Sequence, residues 1–192
     1  MEHSDRELVR ACRHGDKDAF RELVERYQRK IVAVALGMVH NREDAIEIAQ
    51  ETFIKAFENL HKFKGESSFY TWLYRIVVNH AIDFQRRERR HPTVWLEDRA
   101  AAGGTGEPYE DALKEERLTD PYQEARAHEI GDRVREAIGE LTPHHKAVIL
   151  LREVEGLSYD EISRVMQCSK GTVMSRLHYA RRKLQKKLKD CL

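Results

Sequence analysis

One short stretch of the chain carries aromatic, amide and guanidinium side chains at helical spacing. Residues 63–90 read F-K-G-E-S-S-F-Y-T-W-L-Y-R-I-V-V-N-H-A-I-D-F-Q-R-R-E-R-R. At 100° per residue, Trp72, Arg75, Asn79 and Arg86 fall on one face of a helix. Rings and guanidinium groups stack on unpaired bases, an amide bonds base edges, and Arg binds phosphate. The pattern predicts a surface for single-stranded nucleic acid, although a surface helix whose Trp covers the core explains the same spacing.

The same stretch also carries the signals that position this face. Ser67 or Ser68 is the expected N-cap, because a short side-chain oxygen accepts a free amide hydrogen at the helix start. A second, neighbouring stripe is apolar and predicts the side that packs on a core. Its members are Phe69, Leu73, Ile76, Val77, His80 and Phe84.

Composition and charge predict an all-α protein with two small helical domains joined by a flexible acidic linker. The 192 residues are 41% hydrophobic and 35% charged, with only four prolines. Apolar and polar residues do not alternate over any sustained stretch, which argues against a β-sheet. Residues 1–90 carry a net charge of +2, residues 91–130 a net charge of −6, and residues 131–192 a net charge of +5. Two mildly basic ends joined by an acidic middle indicate two binding modules and a tether.

Cap signals divide the N-terminal domain into helices. Ser4, followed three residues later by a glutamate, predicts a capping box, and Asp16 and Asn41 each predict a further helix start. The helix after Asn41 is expected to bury Ala45, Ile48, Ala49, Phe53, Phe57 and Leu60. Its other side carries Asp44, Glu47, Gln50 and Glu51. This cluster is either a solvated face or an acidic and amide surface for a basic partner helix.

The domain boundaries follow from breaks in these patterns. His91-Pro92 ends the helical order, and the run A-A-A-G-G-T-G-E-P-Y-E-D is small, Gly-rich and acidic. Such a segment buries too little apolar surface to fold alone. The sequence predicts domains at residues 1–90 and 120–192, with the linker at residues 91–119.

The C-terminal domain has the layout of a helix-turn-helix. Ser158 and Glu161 predict a capping box on a short helix, and a tight turn then leads to a last helix that begins at Lys170. Residues 170–189 contain eight Lys or Arg and no acidic residue, which favours a phosphate-binding surface. The residues expected to meet duplex DNA are Lys170, Thr172, Met174, Ser175, Arg176, His178, Arg181 and Arg182.

The sequence offers no positive sign of an enzyme, a cofactor or a metal site. The three cysteines are widely spaced without a C-x-x-C pair, and the adjacent His144 and His145 diverge by 100° on a helix. The sequence contains no phosphate-binding glycine loop, no H-E-x-x-H motif and no G-x-S-x-G motif. No apolar run approaches the length that spans a bilayer, and the charged start does not resemble a signal peptide. We therefore expect a cytoplasmic protein without membrane insertion.

Two separate motifs resemble bacterial sigma factors. D-A-I-E-I-A-Q-E-T-F-I-K-A-F followed by F-K-G-E-S-S-F-Y-T-W-L-Y-R-I-V-V-N-H-A-I-D-F resembles their promoter-melting domain. L-T-P-H-H-K-A-V-I-L-L-R-E-V-E-G-L-S-Y-D-E-I-S-R-V-M-Q-C-S-K-G-T-V-M-S-R-L-H-Y-A-R-R-K-L resembles their domain that reads the upstream promoter element. With only these two domains, the chain resembles the extracytoplasmic-function, or minimal two-domain, sigma factors.

The resemblance implies a role for each surface. The cluster Asp44, Glu47, Gln50 and Glu51 would dock on the beta-prime clamp coiled coil of core RNA polymerase, and the C-terminal domain would meet the beta flap. The last helix would read the minus-35 element of promoter DNA. An anti-sigma factor is a further expected partner. The residues implied in reading and melting the minus-10 element are Lys64, Ser67, Ser68, Tyr70, Thr71, Trp72, Arg75, Asn79 and Arg86.

Two other functions fit parts of the pattern. A stand-alone helix-turn-helix regulator predicts tight duplex binding without polymerase, and a single-strand-binding protein predicts that the C-terminal domain is dispensable. As a sigma factor, the free chain should bind DNA poorly, because the tether leaves the spacing of two weakly basic domains undefined. Met174, His178 and Tyr179 depart from the family pattern, so the upstream DNA sequence that relatives read does not transfer to this chain.

Overall fold

The chain folds into helices throughout the part that the structure describes. The computed structural model describes residues 3–90 and 121–189, and within those ranges it contains no strand, which confirms the predicted all-α class. The predicted acidic linker lies outside the described residues. The helices are α1 Asp5–Arg13, α2 Lys17–Val39, α3 Arg42–Glu58, α4 Phe69–Arg90, α5 Pro121–Gly139, α6 Pro143–Ile149, α7 Tyr159–Met166 and α8 Lys170–Lys187, with a 3-10 turn at Leu60–Lys62 and a π-helical turn at Leu150–Val154.

The predicted caps begin these helices. Ser4 and Ser158 each form a capping box, in which the serine oxygen accepts the amide hydrogen of a glutamate three residues on and the glutamate carboxylate accepts the serine amide. Asp16 and Asn41 accept two amide hydrogens each at the starts of α2 and α3. Each cap satisfies donors that the helix itself leaves free, and is worth about 1 kcal/mol.

The N-terminal helices α1–α4 surround a core of aliphatic side chains. Leu23, Ile48 and Leu73 are among its fully buried members. The prediction for Phe57 is wrong, because its side chain remains 48% exposed and lies at the edge of the α2–α3 contact. There its ring meets the ring of Phe20 edge-on, with 4.9 Å between the centroids.

Among the C-terminal helices α5–α8, a three-residue turn separates the short helix α7 from the basic helix α8. At Gln167 the backbone turns through the left-handed region with φ 49°. The Ser163 hydroxyl donates to the Cys168 carbonyl at 2.6 Å, and Ser169 caps α8 by accepting the Thr172 amide hydrogen at 3.1 Å. These contacts fix the direction in which α8 leaves the turn.

The two groups of helices also pack on each other through α4 and α7. Four α4 residues outside the predicted core stripe are buried: Thr71, Tyr74, Val78 and Ala81. The single apolar stripe is therefore an incomplete description of α4. One face meets α2 and α3, and a second face meets the C-terminal helices. None of the described helices is long and apolar enough to cross a membrane, and the described residues include no cluster of potential metal ligands.

Candidate nucleic-acid interface

A loop between the 3-10 turn and α4 forms one wall of an open groove. Gly65 sits at φ +76°, a backbone conformation that L side chains rarely adopt. Of the two candidate caps, Ser68 begins α4: its hydroxyl oxygen accepts the Thr71 amide hydrogen at 3.3 Å and lies 2.6 Å from the Thr71 hydroxyl. The turn and the cap together set the loop against the first two turns of α4.

Trp72 lies between the core and this groove. Its half-buried ring is 5.3 Å from the ring of Phe63 and 5.8 Å from that of Phe69, centroid to centroid. Contacts of this kind fix the orientation of an aromatic ring. The two explanations of the tryptophan are therefore compatible, because the side chain packs against the core and also lines the groove.

The groove has a volume of about 670 Å³. It brings together five of the predicted residues, which are Lys64, Ser67, Trp72, Arg75 and Asn79. The other lining residues are Lys55, Asn59, Lys62, Phe63, Gly65, Glu66, Ile76, His80 and Asp83. Two of them, Ile76 and His80, were predicted for the core-facing stripe of α4. A ring, an amide, a guanidinium and several ammonium groups thus surround one opening, and this set suits an unstacked base with its phosphate.

Four predicted residues lie elsewhere. The Ser68 hydroxyl is engaged as the cap of α4. Thr71 is buried beneath it, and the Tyr70 hydroxyl donates to Glu161 in the C-terminal helices. Arg86 is exposed beyond the groove and bonds to Asp83 at 3.1 Å. The helical spacing placed Trp72, Arg75 and Asn79 together, but it did not distinguish the face of α4 that the C-terminal helices cover.

His80 links the groove to α3. Its Nε2 lies 2.7 Å from a carboxylate oxygen of Glu51, and its side chain is 6% exposed. Burial lowers the pKa of His80, and the nearby Lys55 lowers it further, while Glu51 acts in the opposite direction. The imidazole is therefore neutral near pH 7, and a proton on Nε2 is donated to the carboxylate.

The outer face of α3 carries the predicted polar cluster and an apolar patch beside it. Glu47 and Gln50 are exposed, Asp44 is partly buried, and Glu51 contacts Lys55 as well as the histidine. The sequence reading missed Ile54, whose side chain is 57% exposed. Ile54 falls outside the buried stripe, so the helical spacing contained this signal. Together with Phe57 it adds an apolar area beside the polar cluster.

The basic helix α8 exposes most of its predicted residues, and several cations already have acidic partners. Lys170 contacts Asp160 at 2.7 Å, and Arg181 contacts Glu153 at 2.6 Å. Met174 is 55% exposed. The remaining exposed residues of the predicted set are Ser175, His178 and Arg182.

Two predicted residues at the start of α8 are only partly accessible. The Thr172 hydroxyl lies 2.9 Å from the Ser169 hydroxyl, and an Arg176 nitrogen lies 3.8 Å from the Cys168 sulfur. These contacts hold both side chains toward the turn. The exposed part of α8 therefore consists mainly of Met174, Ser175 and the cationic residues farther along.

Family models and relatives agree with this arrangement. The model of sigma-70 region 2 matches residues 23–91, and the model of sigma-70 region 4 matches residues 131–184. The RNA polymerase sigma-H factor of Pseudomonas aeruginosa is 40% identical to this chain, with 100% of this chain and 97% of the relative covered. The ECF RNA polymerase sigma-E factor of Haemophilus influenzae is 39% identical, with 98% and 97% covered.

Solved structures give the same result. CnrH, described in complex with the cytosolic domain of CnrY, has a TM-score of 0.67 at 25% identity, with 97% of both chains covered. The sigma factor RpoE of Bartonella quintana, described in complex with the anti-sigma factor NepR, has a TM-score of 0.64 at 22% identity. The match covers 91% of this chain and 98% of the RpoE chain, and it shows a shared fold. The chain therefore belongs to the sigma-70 family and is an ECF-type sigma factor, a transcription initiation factor of RNA polymerase.

Proposed function

We propose that this chain docks on core RNA polymerase and directs the polymerase to specific promoters. The chain reads and melts the minus-10 element of these promoters and reads their minus-35 element. The observation that carries the proposal is the groove beside Trp72, which combines a fixed ring, the Arg75 guanidinium and the Asn79 amide at one opening. The chain performs no catalysis of its own. Its contribution is to hold bases that have left the stack.

The groove captures a base from the opened strand at the minus-10 element. Trp72 supplies a stacking surface, Asn79 bonds base edges, and Lys64 with Arg75 neutralises phosphate charge. Stacking of this kind is worth about 1–3 kcal/mol per base. Ser67 supports the loop, and Ser68, Tyr70 and Thr71 act through the placement of the first turn of α4. Arg86 contacts the DNA backbone outside the groove.

The outer face of α3 docks on the clamp coiled coil of the beta-prime subunit. Glu47, Gln50, Glu51 and Asp44 match a basic helical partner, and the exposed Ile54 adds an apolar contact. Residues near the centre of such an interface contribute most of its affinity. The bond between His80 and Glu51 joins this face to the groove, so docking and base capture occupy two sides of one rigid unit.

The C-terminal helices read the minus-35 element and contact the beta flap. The exposed end of α8, from Met174 to the cations at Arg181 and Arg182, enters the major groove, as the second helix of a helix-turn-helix does. Residues 1–90 form the first domain, residues 120–192 form the second, and residues 91–119 form the acidic linker between them.

Control by an anti-sigma factor completes the proposed function. Two of the solved structures are described as complexes, one with the cytosolic domain of CnrY and one with the anti-sigma factor NepR. A protein that covers α3 or the groove would prevent polymerase docking or base capture. We place the chain in the cytoplasm, where polymerase and promoter DNA are found.

Transcription with purified core polymerase on a library of genomic fragments tests the proposal. Adding the chain should produce initiation from a small set of fragments that share two sequence elements. Tight binding of the isolated chain to duplex DNA, without such initiation, would instead support a stand-alone helix-turn-helix regulator. Initiation that is unchanged after removal of the C-terminal helices would support a single-strand-binding protein.

A further inference from the structure

The last residue of α1 bonds to the main chain at the start of the groove loop. The Arg13 guanidinium donates to the Leu60 carbonyl, at 3.4 Å from Nε and 3.3 Å from Nη2, and Nη2 also donates to the Phe63 carbonyl. Leu60 begins the 3-10 turn and Phe63 follows it, so both carbonyls lie where the chain enters the wall of the groove. A planar guanidinium presents several N–H donors in fixed directions. One side chain therefore fixes two points of this segment.

Phe63 connects this bond to Trp72. The Phe63 side chain is 8% exposed, and its ring lies 6.0 Å from the ring of Phe69 and 5.3 Å from that of Trp72, centroid to centroid. The main chain of Phe63 is thus held by α1 while its ring contacts the tryptophan. A shift of the Phe63 carbonyl would move this ring, and with it one of the two rings that fix the orientation of Trp72.

A second contact runs from the first residue of α1 to the same group of rings. The two carboxylate oxygens of Asp5 accept from Arg26, at 2.6 Å, and from the Tyr27 hydroxyl. Burial, and then the bond to Asp5, raise the pKa of Tyr27, so its hydroxyl remains a donor. The Tyr27 ring lies 5.8 Å from the ring of Phe69, centroid to centroid. Phe69 is the second ring that contacts Trp72.

Both ends of α1 therefore lead to the rings beside the groove. We propose that Arg13 and Asp5 are positioning residues for base capture, which act on Trp72 through the two phenylalanine rings. Their contacts form the α1 brace. The proposal rests on the proposed function. Neither residue belongs to the described residues that line the groove, so neither side chain is expected to touch the base. A ring that is already held in place loses little freedom when a base stacks on it, so the brace lowers the cost of capture.

Substitutions in α1 test the brace in polymerase that carries the full-length chain. The measured quantity is the fluorescence rise of 2-aminopurine in the minus-10 non-template strand of a promoter fragment recovered by the library transcription experiment. Arg13→Ala should lower the equilibrium constant for unstacking about tenfold, a typical coupling within one contact network. Arg10→Ala is the matched control, because Arg10 is an exposed cation in the same turn of α1, and it should leave the rise unchanged. Equal rises with Arg13→Ala and wild type would overturn the proposal.

A double substitution separates positioning from general destabilisation. If Arg13 acts through Trp72, Arg13→Ala should cost about tenfold in the wild-type chain but less than about twofold in the Trp72→Ala chain. A loss that is equally large in both chains would show that Arg13 supports the fold without acting through the tryptophan, which contradicts the proposal. Thermal unfolding of each variant gives the folded fraction, so that only folded protein enters the comparison.

The second contact of the brace has its own variant. Asp5→Asn keeps the size of the side chain and removes its charge, which weakens the bonds to Arg26 and Tyr27. The equilibrium constant for unstacking should fall by about threefold, the effect of one weakened hydrogen bond. An unchanged constant would exclude Asp5 from the brace.

The fluorescence of Trp72 separates this proposal from the proposed function. In a Trp95→Phe chain Trp72 is the single tryptophan, and its anisotropy reports the motion of the ring in the free protein. Arg13→Ala should lower this anisotropy, and Arg10→Ala should not. If the anisotropy falls in this way but the wild-type chain directs no initiation, the proposed function fails and the brace stands. If the wild-type chain directs initiation while Arg13→Ala changes neither the anisotropy nor the 2-aminopurine rise, the brace fails and the proposed function stands.

Discussion

The two candidate DNA surfaces of this chain are built in different ways. In the N-terminal groove, Trp72 is fixed by Phe63 and Phe69, and acidic as well as basic residues line the opening. On α8 the exposed surface is cationic, and Lys170 and Arg181 bond to carboxylates of their own unit. The groove is a preformed shape, whereas α8 is a charged surface on which two of the predicted DNA-binding cations already have carboxylate partners.

This difference separates recognition by shape from recognition by charge. A fixed ring gains most from an unstacked base and little from an intact duplex. Cations that meet phosphate act on any sequence, and their effect falls with salt concentration. The groove should therefore control strand opening, and α8 should control the affinity for duplex DNA and its salt dependence. The variants below test that division in order of decreasing expected effect.

The largest effect is expected at Trp72. Trp72→Ala should lower the yield of heparin-resistant open complexes by about 5- to 150-fold, the equivalent of 1–3 kcal/mol of lost stacking. Trp72→Phe is the matched control, because it keeps a ring between Phe63 and Phe69 and should retain most of the activity. Affinity for core polymerase should be unchanged in both, and a loss of docking in Trp72→Ala would refute the role assigned to this residue.

The next effect is expected on α3, the surface proposed to dock on polymerase, which serves as a reference for the two DNA surfaces. Ile54→Ser should weaken binding to core polymerase about tenfold, since a central apolar contact contributes more than 1 kcal/mol. Ile54 is exposed, so thermal stability should change little. Fluorescence anisotropy with labelled chain measures the affinity. Normal docking by Ile54→Ser would mean that the polymerase contact lies on another face.

A smaller effect is expected on α8 and concerns salt dependence. Arg182→Ala should reduce the slope of log affinity against log salt by about 1, because one phosphate contact is lost. Met174→Ala is the control: it removes no charge and should alter only the preference among upstream sequences. The measurement is binding of a minus-35 duplex by polymerase carrying each chain. Equal slopes for wild type and Arg182→Ala would remove Arg182 from the DNA surface.

The smallest effect is expected at Glu153, which bonds to Arg181. Glu153→Gln releases this cation for phosphate, and because exposed ion pairs are worth about 0.2–1 kcal/mol, affinity for the same duplex should rise by no more than about fivefold. The gain should disappear at high salt. A loss of affinity would show that the ion pair positions Arg181 for DNA and does not compete with it.

Local features of the fold could be predicted from the sequence because their causes are local. Ser4, Asp16, Asn41 and Ser158 cap helices where short polar side chains precede apolar periodicity. The same periodicity placed Trp72 and its neighbours on one face. Phe57 was assigned wrongly because it lies at the edge of the stripe, where the helical angle alone does not decide burial.

Contacts between distant parts of the chain were not predictable in this way. Tyr74 lies outside the apolar stripe predicted for α4, and its burial depends on helices more than sixty positions later. Lys146 reads as an ordinary charged residue, although it is buried at the end of α2. A helix that packs on two partners shows a mixture of two stripes, and a single hydrophobic period identifies only the stronger one.

Strand opening at the minus-10 element tests the central claim most directly. A promoter fragment with 2-aminopurine in the minus-10 non-template strand reports unstacking as a rise in fluorescence when polymerase carrying the chain is added. The wild-type chain should produce this rise, and Trp72→Ala, confirmed as bound to polymerase and promoter, should lose most of it. An undiminished rise with Trp72→Ala would contradict the assignment of strand opening to the groove.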